Sequence, residues 1–327
     1  MKVQVTGAAG FIGRALAERL VLGGHQVFGL DMRPSIDTDL LVDIRDGAAM
    51  QAVMAATSPD VVVHLAALAG VRPSVARPID YLETNVVGTG HVLEAAAQAG
   101  VRRVVLASSS SVYGHCPEPA HEDRTPRPLS PYAASKLAAE ALAQTYAERG
   151  CLEVAVVRPF TVYGPGQRPD MFCSQVLRTL GVGAPLEVWP WQRDFTFIDD
   201  LVDGLVGASS RRLVEPFRIF NLGSGTPVSA ADFLSTLEFV TGFRPEATWG
   251  RASSGEPART HADPVRARLE LGFTGATSFA DGLRQQADVD GACGRSSAVS
   301  VLADRRIGSS YGHAASLVAV DRLEALA

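Results

Sequence analysis

The chain has 327 residues, enough for about two domains at roughly 150 residues each, and its 46% hydrophobic and 20% charged residues are typical of a folded globular protein. A net charge of −5 and the absence of basic runs longer than two residues argue against a nucleic-acid-binding surface. No apolar run approaches the roughly 18 residues of a membrane span, and the residues after Met1 read as a strand, not a signal peptide, so we expect a cytoplasmic protein without membrane contact.

Valine-rich segments of strand length recur through the first half of the chain, at residues 3–5, 25–30, 61–63, 104–106 and 154–157. Because they show no alternation of apolar and polar residues, they are typical of a parallel sheet buried on both faces. Stretches with helical periodicity that end at glycine lie between them, as in residues 13–23 and 85–100. This alternation predicts an α/β fold, with a doubly wound parallel-sheet (Rossmann) domain over residues 1–163.

The pattern loosens after Gly164, where short strands and two later helices, near residues 199–208 and 229–241, are expected. We interpret residues 164–290 mainly as a smaller mixed α/β substrate domain, with residues 195–222 returning to the first domain. The substrate is expected between the two halves, at the carboxyl edge of the sheet. Residues 291–327 are rich in Ser, Ala and Gly and carry no motif, so we treat them as an appendage of unknown role.

A glycine-rich turn follows the first predicted strand and opens a helix. Gly7, Gly10 and Gly13 permit a tight turn and a close approach of pyrophosphate to the backbone, and the helix N-terminus attracts the anion. Asp31 ends the next strand, 18 residues beyond Gly13, where a carboxylate can bind the hydroxyls of an adenosine ribose. Asp31 favours NAD over NADP because it repels a 2′-phosphate, although Arg33 nearby would soften that preference.

A second motif joins a tyrosine to a lysine on one helix. Ser130 is suited to cap the helix and proline follows it at the first helical position, so Tyr132 and Lys136 share one face as residues i and i+4. Lys136 is one of only two lysines among 30 basic residues, the other being Lys2. An ammonium beside a phenol, together with a cationic nicotinamide ring, favours the phenolate, so Tyr132 becomes a usable general base.

Serines follow the strand at residues 104–107, and this predicts a cluster of hydroxyls at the same edge of the sheet. Such hydroxyls can share a proton with a substrate, although serines at a strand end are also common turn residues. The cluster consists of Ser108, Ser109, Ser110 and Ser111. The four cysteines and seven histidines, in contrast, have no metal-ligand spacing, so no metal site is expected.

These motifs resemble the extended short-chain dehydrogenase/reductase superfamily, specifically its NAD-dependent nucleotide-sugar 4-epimerases, over roughly residues 2–285. The motifs are Thr-Gly-x-x-Gly-x-x-Gly, Ser-Ser-Ser-Ser-Val-Tyr-Gly, Tyr-x-x-x-Lys and Arg-Pro-Phe-Thr-Val-Tyr-Gly-Pro. The resemblance implies that Ser109, Tyr132 and Lys136 form the catalytic set. It also implies the cofactor contacts, which together with the turn and ribose residues are Gly7, Gly10, Phe11, Ile12, Gly13, Asp31, Asp43, Ile44, Leu65, Ala66, Ala67, Asn85, Ser108, Tyr132, Lys136 and Pro159.

The same family contains dehydratases and decarboxylases, which share the first step of oxidation at sugar carbon 4. Dehydratases of the family carry an Asp-Glu pair where this chain has Ser110 and Ser111, and the decarboxylases carry a Glu at the second position. Neither carboxylate is present here. Without such a group, the 4-keto sugar can rotate about its link to the diphosphate and accept the same hydride on its other face. The sequence therefore favours 4-epimerisation.

Residues 158–171 resemble the UDP-glucuronate 4-epimerases, because Thr161 stands where the UDP-glucose enzymes have asparagine. We assign Thr161 to the sugar carboxylate and Arg168 to the substrate anion, since a guanidinium binds anions through paired hydrogen bonds. Arg193 inherits the diphosphate role of a family arginine. The full expected substrate set is Arg72, Ser109, Ser110, Ser111, Tyr132, Thr161, Arg168, Arg193 and Arg259, although Arg259 is displaced by one position from the family frame and the preceding family arginine is Ser253 here.

We therefore expect interconversion of UDP-glucuronate and UDP-galacturonate. A UDP-glucose/galactose 4-epimerase is the nearest alternative, followed by a UDP-glucuronate decarboxylase or reductase and by a non-catalytic NAD-binding regulator, since fold alone does not establish activity. A homodimer is expected from the apolar faces of residues 85–99 and 132–147, which could equally pack on the sheet.

Overall fold

The computed structural model describes residues 1–182, 185–250 and 257–291. Its strands are β1 (Lys2–Thr6), β2 (Gln26–Asp31), β3 (Leu40–Leu41), β4 (Val61–His64), β5 (Arg103–Ala107), β6 (Glu153–Pro159), β7 (Thr161–Tyr163), β8 (Leu186–Val188), β9 (Gln192–Phe197), β10 (Phe217–Leu222), β11 (Pro227–Ser229) and β12 (Ala247–Trp249). The largest sheet has seven parallel strands in the order β10-β6-β5-β4-β1-β2-β3. The predicted doubly wound α/β class is confirmed, and all five predicted strands form.

The α-helices alternate with these strands and cover both faces of the sheet. They are α1 (Phe11–Leu22), α2 (Gly47–Thr57), α3 (Val71–Ala76), α4 (Pro78–Leu82), α5 (Thr89–Gln98), α6 (Pro131–Glu148), α7 (Phe172–Val182), α8 (Ile198–Ser210), α9 (Ala230–Thr241), α10 (Val265–Leu271) and α11 (Phe279–Val289). Alternate valines of the central strands enter two separate cores, one formed with α1 and α8 and the other with α2, α5 and α6. Burial on both faces explains why these strands have no polar alternation.

The strand order reverses between β1 and β4, and this reversal locates the site. Chain connections leave the crevice between these two strands in opposite directions, so ligands of such folds bind at their carboxyl ends. The glycine-rich turn follows β1, residues 65–68 follow β4, and the serine cluster follows β5. Two smaller sheets, β11-β9-β7 and β12-β8, belong to the later part of the chain, while β10 joins the large sheet beside β6.

One helical prediction needs correction in detail, and the serine cluster has a local structure that the sequence did not predict. The helix expected over residues 85–100 begins instead as a π-helical turn, Glu83–Gly88, which passes into α5. The serines at 110 and 111 belong to a short 3₁₀ turn, Ser110–Tyr113. Residues 292–327, and Ser253, lie outside the described residues. Within the described ranges, no helix combines the length and apolarity needed to cross a bilayer.

Candidate active site

The turn between β1 and α1 is shaped by glycines. Gly7 has a φ of +75°, and a side chain there would approach the Ala66 backbone nitrogen to 2.8 Å. A Cβ on Gly13 would collide with the Gly7 carbonyl oxygen. Gly10 caps α1 without a side chain, so the cap residue makes no side-chain hydrogen bond to the first amides of the helix. This cradle fits the pyrophosphate of a dinucleotide, which binds to exposed amides at a helix N-terminus.

Asp31 lies beside this turn at the end of β2. Its buried carboxylate accepts hydrogen bonds from the Ala9 amide at 3.1 Å and from the Arg33 amide at 2.9 Å. The Arg33 Nε lies 3.4 Å from Asp31 Oδ1, so this guanidinium pairs with the carboxylate. The acidic group is therefore held beside the turn, an arrangement that would suit the adenosine ribose of a dinucleotide without a 2′-phosphate.

Asp43 and Ile44 follow β3 on the adenine side of the predicted cofactor. The Arg45 guanidinium holds the Asp43 carboxylate at 2.6 Å, and this hydrogen bond lowers the pKa of Asp43. Ile44 is buried against the π-helical turn, where a Cβ on Gly88 would meet the Ile44 side chain at 2.7 Å. The carboxylate of Asp43 thus already has a cationic partner, while Ile44 fixes the turn that carries Asn85.

Asn85 holds the chain that leaves β4. Its Oδ1 accepts from the Leu68 amide at 2.8 Å, and its Nδ2 donates both to the Leu68 carbonyl oxygen and to Ser135 Oγ, each at 3.0 Å. Asn85 is buried within the π-helical turn, and such turns are frequent at functional sites. It therefore fixes residues 65–68 against α6, the helix of Tyr132 and Lys136.

Helix α6 begins as the sequence predicts. Ser130 Oγ accepts from the Ala133 amide at 3.2 Å, and Pro131 occupies the first helical position. Tyr132 and Lys136 then lie one turn apart on the face directed toward the strand ends. Lys136 is 6% exposed, and its Nζ donates to the Ala107 carbonyl oxygen at 2.9 Å.

Ser109 completes this cluster from the end of β5. Its hydroxyl oxygen accepts from the Ser111 amide at 3.1 Å and so caps the 3₁₀ turn. The Ser109 side chain also lies close enough to Tyr132 to lower the pKa of its phenol. The three residues expected to form the catalytic set, Ser109, Tyr132 and Lys136, are therefore brought together beside the switch point of the sheet.

Burial shifts the pKa values of the tyrosine and the lysine in opposite directions. It raises the pKa of Tyr132, which the nearby Ser109 side chain partly offsets. It also lowers the pKa of Lys136 to about 8, although the charge of Glu140 acts against this shift. The phenol therefore keeps its proton in the resting protein, and a further positive charge beside it would favour the phenolate.

Ser108 is directed away from this cluster. Its hydroxyl donates a hydrogen bond to the buried Glu140 carboxylate. Glu140 forms a two-point ion pair with Arg158, at 2.9 Å and 2.6 Å, and Arg158 also donates to Tyr113 Oη at 2.9 Å. The side chain of Ser108, expected to contact the cofactor, therefore belongs to a buried polar network under α6.

This network predicts a large stability effect at Glu140. The Glu140→Ala variant leaves the Arg158 guanidinium buried without its carboxylate, which costs about 3–5 kcal/mol of unfolding free energy. Glu148→Ala on the same helix serves as the control, because that carboxylate is exposed and bonded only to Gln144 among the described contacts. Urea unfolding measures both. Equal effects of the two variants would contradict the assignment, whereas Glu140→Leu with Arg158→Met should recover most of the loss.

Tyr81, which the sequence did not single out, packs against Tyr132. Their rings meet edge to face at 6.2 Å with an interplanar angle of 81°. The buried Tyr81 hydroxyl donates to the Ala69 carbonyl oxygen at 2.9 Å. Tyr81 thus fixes both the ring of Tyr132 and the loop that leads to Arg72.

Thr161 and Arg168 both come from the chain that follows β6. Thr161 is half-buried at the start of β7, paired with Phe195 of β9. Arg168 forms a two-point ion pair with Asp170, with both contacts at 2.9 Å, and its charge lowers the pKa of Tyr132. A cation is therefore close to the phenol, and a bound anion would compete with Asp170 for it.

The remaining arginines of the expected substrate set have protein contacts. Arg72 lies exposed on α3. The Arg193 guanidinium lies 5.4 Å from the ring centroid of Trp189. Arg259 donates to the Pro117 carbonyl oxygen and contacts His261 Nδ1 at 3.1 Å, while its buried Nε has no hydrogen-bond partner among the described residues.

Asp194, another residue that sequence reasoning missed, joins these segments. Its buried carboxylate accepts from the Ser224 and Gly225 amides at 2.8 Å and 3.0 Å and from the Ala262 amide at 2.9 Å. Burial raises the pKa of Asp194 against these donors. The bonds tie β9, which carries Arg193, to the segment that carries Arg259. Asp194 follows Arg193 directly, which was the available sequence signal.

Comparison with known proteins shows the family to which this chain is similar. Residues 3–223 match the NAD dependent epimerase/dehydratase family. The chain is 35% identical over 304 residues to a UDP-glucuronate 4-epimerase of Thermodesulfobacterium geofontis, covering 86% of this chain and 93% of that protein.

Two solved structures extend the likeness to the fold. MoeE5 in complex with UDP-glucuronic acid and NAD has 42% sequence identity and a TM-score of 0.84, covering 88% of this chain and 98% of that one. MoeE5 has also been solved with UDP-glucose and NAD. The UDP-glucuronic acid 4-epimerase of Bacillus cereus, in complex with UDP-glucuronic acid and NAD, has 32% identity and a TM-score of 0.83 over 89% of this chain and 99% of that one.

Proposed function

The chain belongs to the NAD dependent epimerase/dehydratase family, and we propose that it is an isomerase that interconverts UDP-glucuronate and UDP-galacturonate with NAD as its cofactor. The observation that carries this proposal is the cluster of Ser109, Tyr132 and Lys136 at the switch point, without a carboxylate in the serine segment beside it. The UDP-glucuronate 4-epimerases among its relatives support the choice of substrate.

The residues at the switch point fit NAD. The cradle at Gly7 and Gly13 would receive the pyrophosphate, and Asp31 would meet the adenosine ribose. Residues 65–68, fixed by Asn85, would lie along the cofactor on the way to Tyr132. When bound, NAD supplies the acceptor and then the donor of the hydride at sugar carbon 4.

Tyr132 handles the proton of the reacting hydroxyl. Its phenolate takes the proton from the oxygen on carbon 4 as the carbonyl forms, and returns it when the carbonyl is reduced. Ser109, whose side chain acts on the pKa of Tyr132, orients the sugar hydroxyl that reacts. The Lys136 ammonium stabilises the negative phenolate by electrostatic attraction.

The absence of an acidic side chain from the serine segment favours epimerisation. Elimination of water from a 4-keto sugar requires a base near carbon 5, and the positions where the dehydratases carry Asp and Glu have only the hydroxyls of Ser110 and Ser111. The nearby carboxylate of Glu140 is buried and already paired with Arg158. The 4-keto sugar is therefore left to present its other face and to accept the same hydride, which inverts carbon 4.

A 4-keto-uronate is a β-keto acid, so the enzyme must also hold the sugar carboxylate in place. Carbon dioxide is lost most readily when the carboxylate stands perpendicular to the plane of the ketone. We assign the carboxylate to the Thr161 hydroxyl and, as the cation, to Arg168, whose charge acts on Tyr132. These hydrogen bonds would keep the carboxylate away from the geometry that releases carbon dioxide.

This assignment predicts a change of product in Thr161→Val. The variant keeps the shape and the strand preference of threonine but loses the hydroxyl, and one hydrogen bond to a charged group contributes roughly 1.5–3 kcal/mol. We expect the fraction of UDP-pentose, with equivalent carbon dioxide, to rise by about tenfold or more. Thr161→Ser should preserve the wild-type product ratio. If Thr161→Val changed neither the product ratio nor the turnover, Thr161 would not be the residue that holds the sugar carboxylate.

Incubation with UDP-glucuronate and with UDP-glucose, in separate reactions, tests the proposed function. Chromatography resolves epimer, pentose and 4-keto products, and UDP-galacturonate is expected as the main product. UDP-pentose as the main product would make the protein a decarboxylase. Complete inactivity with both substrates despite bound NAD would leave a non-catalytic NAD-binding protein.

The second candidate is a UDP-glucose/galactose 4-epimerase. It is favoured by one observation, that MoeE5, which is 42% identical, has been solved with UDP-glucose as well as with UDP-glucuronic acid. A higher kcat/KM for UDP-glucose than for UDP-glucuronate would select it. The homodimer and the cytoplasmic location stay predictions.

A further inference from the structure

A histidine that the proposed mechanism does not use lies between the cofactor cradle and the catalytic helix. His64 ends β4 and is 2% exposed. Its Nδ1 lies 2.7 Å from Thr6 Oγ1, at the end of the strand that opens the glycine-rich turn. Its Nε2 lies 3.0 Å from Thr89 Oγ1, at the start of α5. The imidazole therefore bridges two sides of the site from within the core.

The surrounding donors fix the tautomer of His64. The Thr89 hydroxyl donates to the Asn85 carbonyl oxygen at 2.7 Å, so it can only accept from His64, whose Nε2 must carry hydrogen. On the other side, Thr6 Oγ1 accepts from the Ala66 amide at 3.2 Å and donates its own hydrogen to Nδ1. Burial, with the nearby charge of Lys136, lowers the pKa of His64 to about 3, which keeps the ring neutral.

The bonds continue from Asn85 to the catalytic helix. Asn85 Nδ2 donates to Ser135 Oγ at 3.0 Å, and the Ser135 hydroxyl donates to the Tyr132 carbonyl oxygen at 2.8 Å. Consecutive hydrogen bonds, together with the Asn85 residue itself, therefore connect Thr6 to Tyr132 through His64. We call this set the His64 chain; it consists of Thr6, His64, Thr89, Asn85, Ser135 and Tyr132.

We propose that His64, as the neutral tautomer protonated on Nε2, is a positioning residue that holds the glycine-rich turn and the Tyr132 helix at the spacing that hydride transfer requires. Its two nitrogens bond to Thr6 and Thr89, so it acts through these residues and not on the substrate. A displacement of about 1 Å between a cofactor and a general base costs on the order of 10²-fold in rate. The catalytic part of this inference rests on the proposed function, whereas the part that concerns NAD binding does not.

The Thr89 position offers a matched pair of variants. Thr89→Val removes the hydroxyl that accepts from His64 and donates to Asn85, but it keeps the volume of a buried threonine. Thr89→Ser keeps the hydroxyl. Two variants test His64 itself: His64→Leu abolishes both bonds, and His64→Gln retains a donor at the position of Nε2. The NAD content after desalting, the kcat and KM with UDP-glucuronate and urea unfolding are measured for each.

We expect Thr89→Val and His64→Leu to lower kcat at least tenfold, with KM for the UDP-sugar changed less than twofold, and to retain less NAD than the wild type. Thr89→Ser should match the wild type, and His64→Gln should recover part of the kcat. Variants that lose only unfolding free energy, with kcat and NAD content within twofold of the wild type, would overturn the proposal. If the wild type acts on no UDP-sugar, the proposed function fails, and NAD content alone then decides the role of His64.

Discussion

Tyr132→Phe is expected to lose about 10³-fold in kcat, within the range that general acid–base catalysis contributes, while the protein still folds and retains NAD. The substitution removes only the hydroxyl that exchanges the proton with carbon 4 of the sugar. The ring remains, so the edge-to-face contact with Tyr81 at 6.2 Å should persist. Initial rates with UDP-glucuronate, NAD content and thermal unfolding separate these effects.

A tyrosine on the same helix provides the control. Tyr146 donates to Glu94 at the protein surface, far from the strand ends, so Tyr146→Phe should keep wild-type turnover. A Tyr132→Phe protein with more than one-tenth of the wild-type kcat would mean that another group takes the proton. The roles given to Ser109 and Lys136 would then have to be reassigned as well.

The second large effect is expected at Lys136, where stability and activity should change in opposite directions. Lys136→Met removes the ammonium that stabilises the phenolate, and we expect a loss of at least 10²-fold in kcat. The same change removes a buried charge, so unfolding free energy at pH 7 should rise. The interval between the pKa of about 8 and the ordinary 10.5 corresponds to roughly 3 kcal/mol.

The pH dependence of this stability has a definite sign. The pKa of Lys136 is lower in the folded protein than in the unfolded chain, so the unfolded chain binds more protons between about pH 8 and pH 10.5. The wild type should therefore gain stability relative to Lys136→Met as pH rises through this interval. A constant difference between the two proteins from pH 7 to pH 10.5 would contradict burial of a charged lysine.

Two further variants isolate the role of the ammonium. Lys136→Arg keeps the charge, but the planar guanidinium cannot occupy the place of an amine that bonds to the Ala107 carbonyl oxygen, so most turnover should be lost. Lys2 is the other lysine of the chain and is exposed, so Lys2→Arg should change neither rate nor stability. Near-normal turnover in Lys136→Arg would show that catalysis does not require a lysine at this position.

Sequence pattern predicts the large sheet well because its signal is local. Valine-rich segments buried on both faces mark β1, β4 and β5 directly. The π-helical turn at Glu83–Gly88 has no such mark, because its apolar spacing matches an ordinary helix. The contacts of this turn are made with residues distant in the sequence. Asn85 bonds to Leu68, and Ile44 packs where a Gly88 side chain would lie.

The residues of the site likewise fall into those that a local sequence pattern predicts and those that only the fold brings together. The spacing of Tyr132 and Lys136 predicts their shared face, and the glycine pattern predicts the cradle. In contrast, Glu140 looks in the sequence like a solvated helix residue, and only the fold brings Arg158 and Ser108 to it. His64 likewise has no local sequence signal, because its partners come from strands and helices distant along the chain.

The most direct test of hydride return uses UDP-glucuronate labelled with deuterium at carbon 4, incubated in ordinary water with the NAD-loaded protein. Mass spectrometry and proton NMR of the product locate the label. We expect UDP-galacturonate that retains deuterium at carbon 4, because the hydride leaves and returns within one active site. An epimer in which hydrogen from the solvent has replaced the deuterium would contradict it.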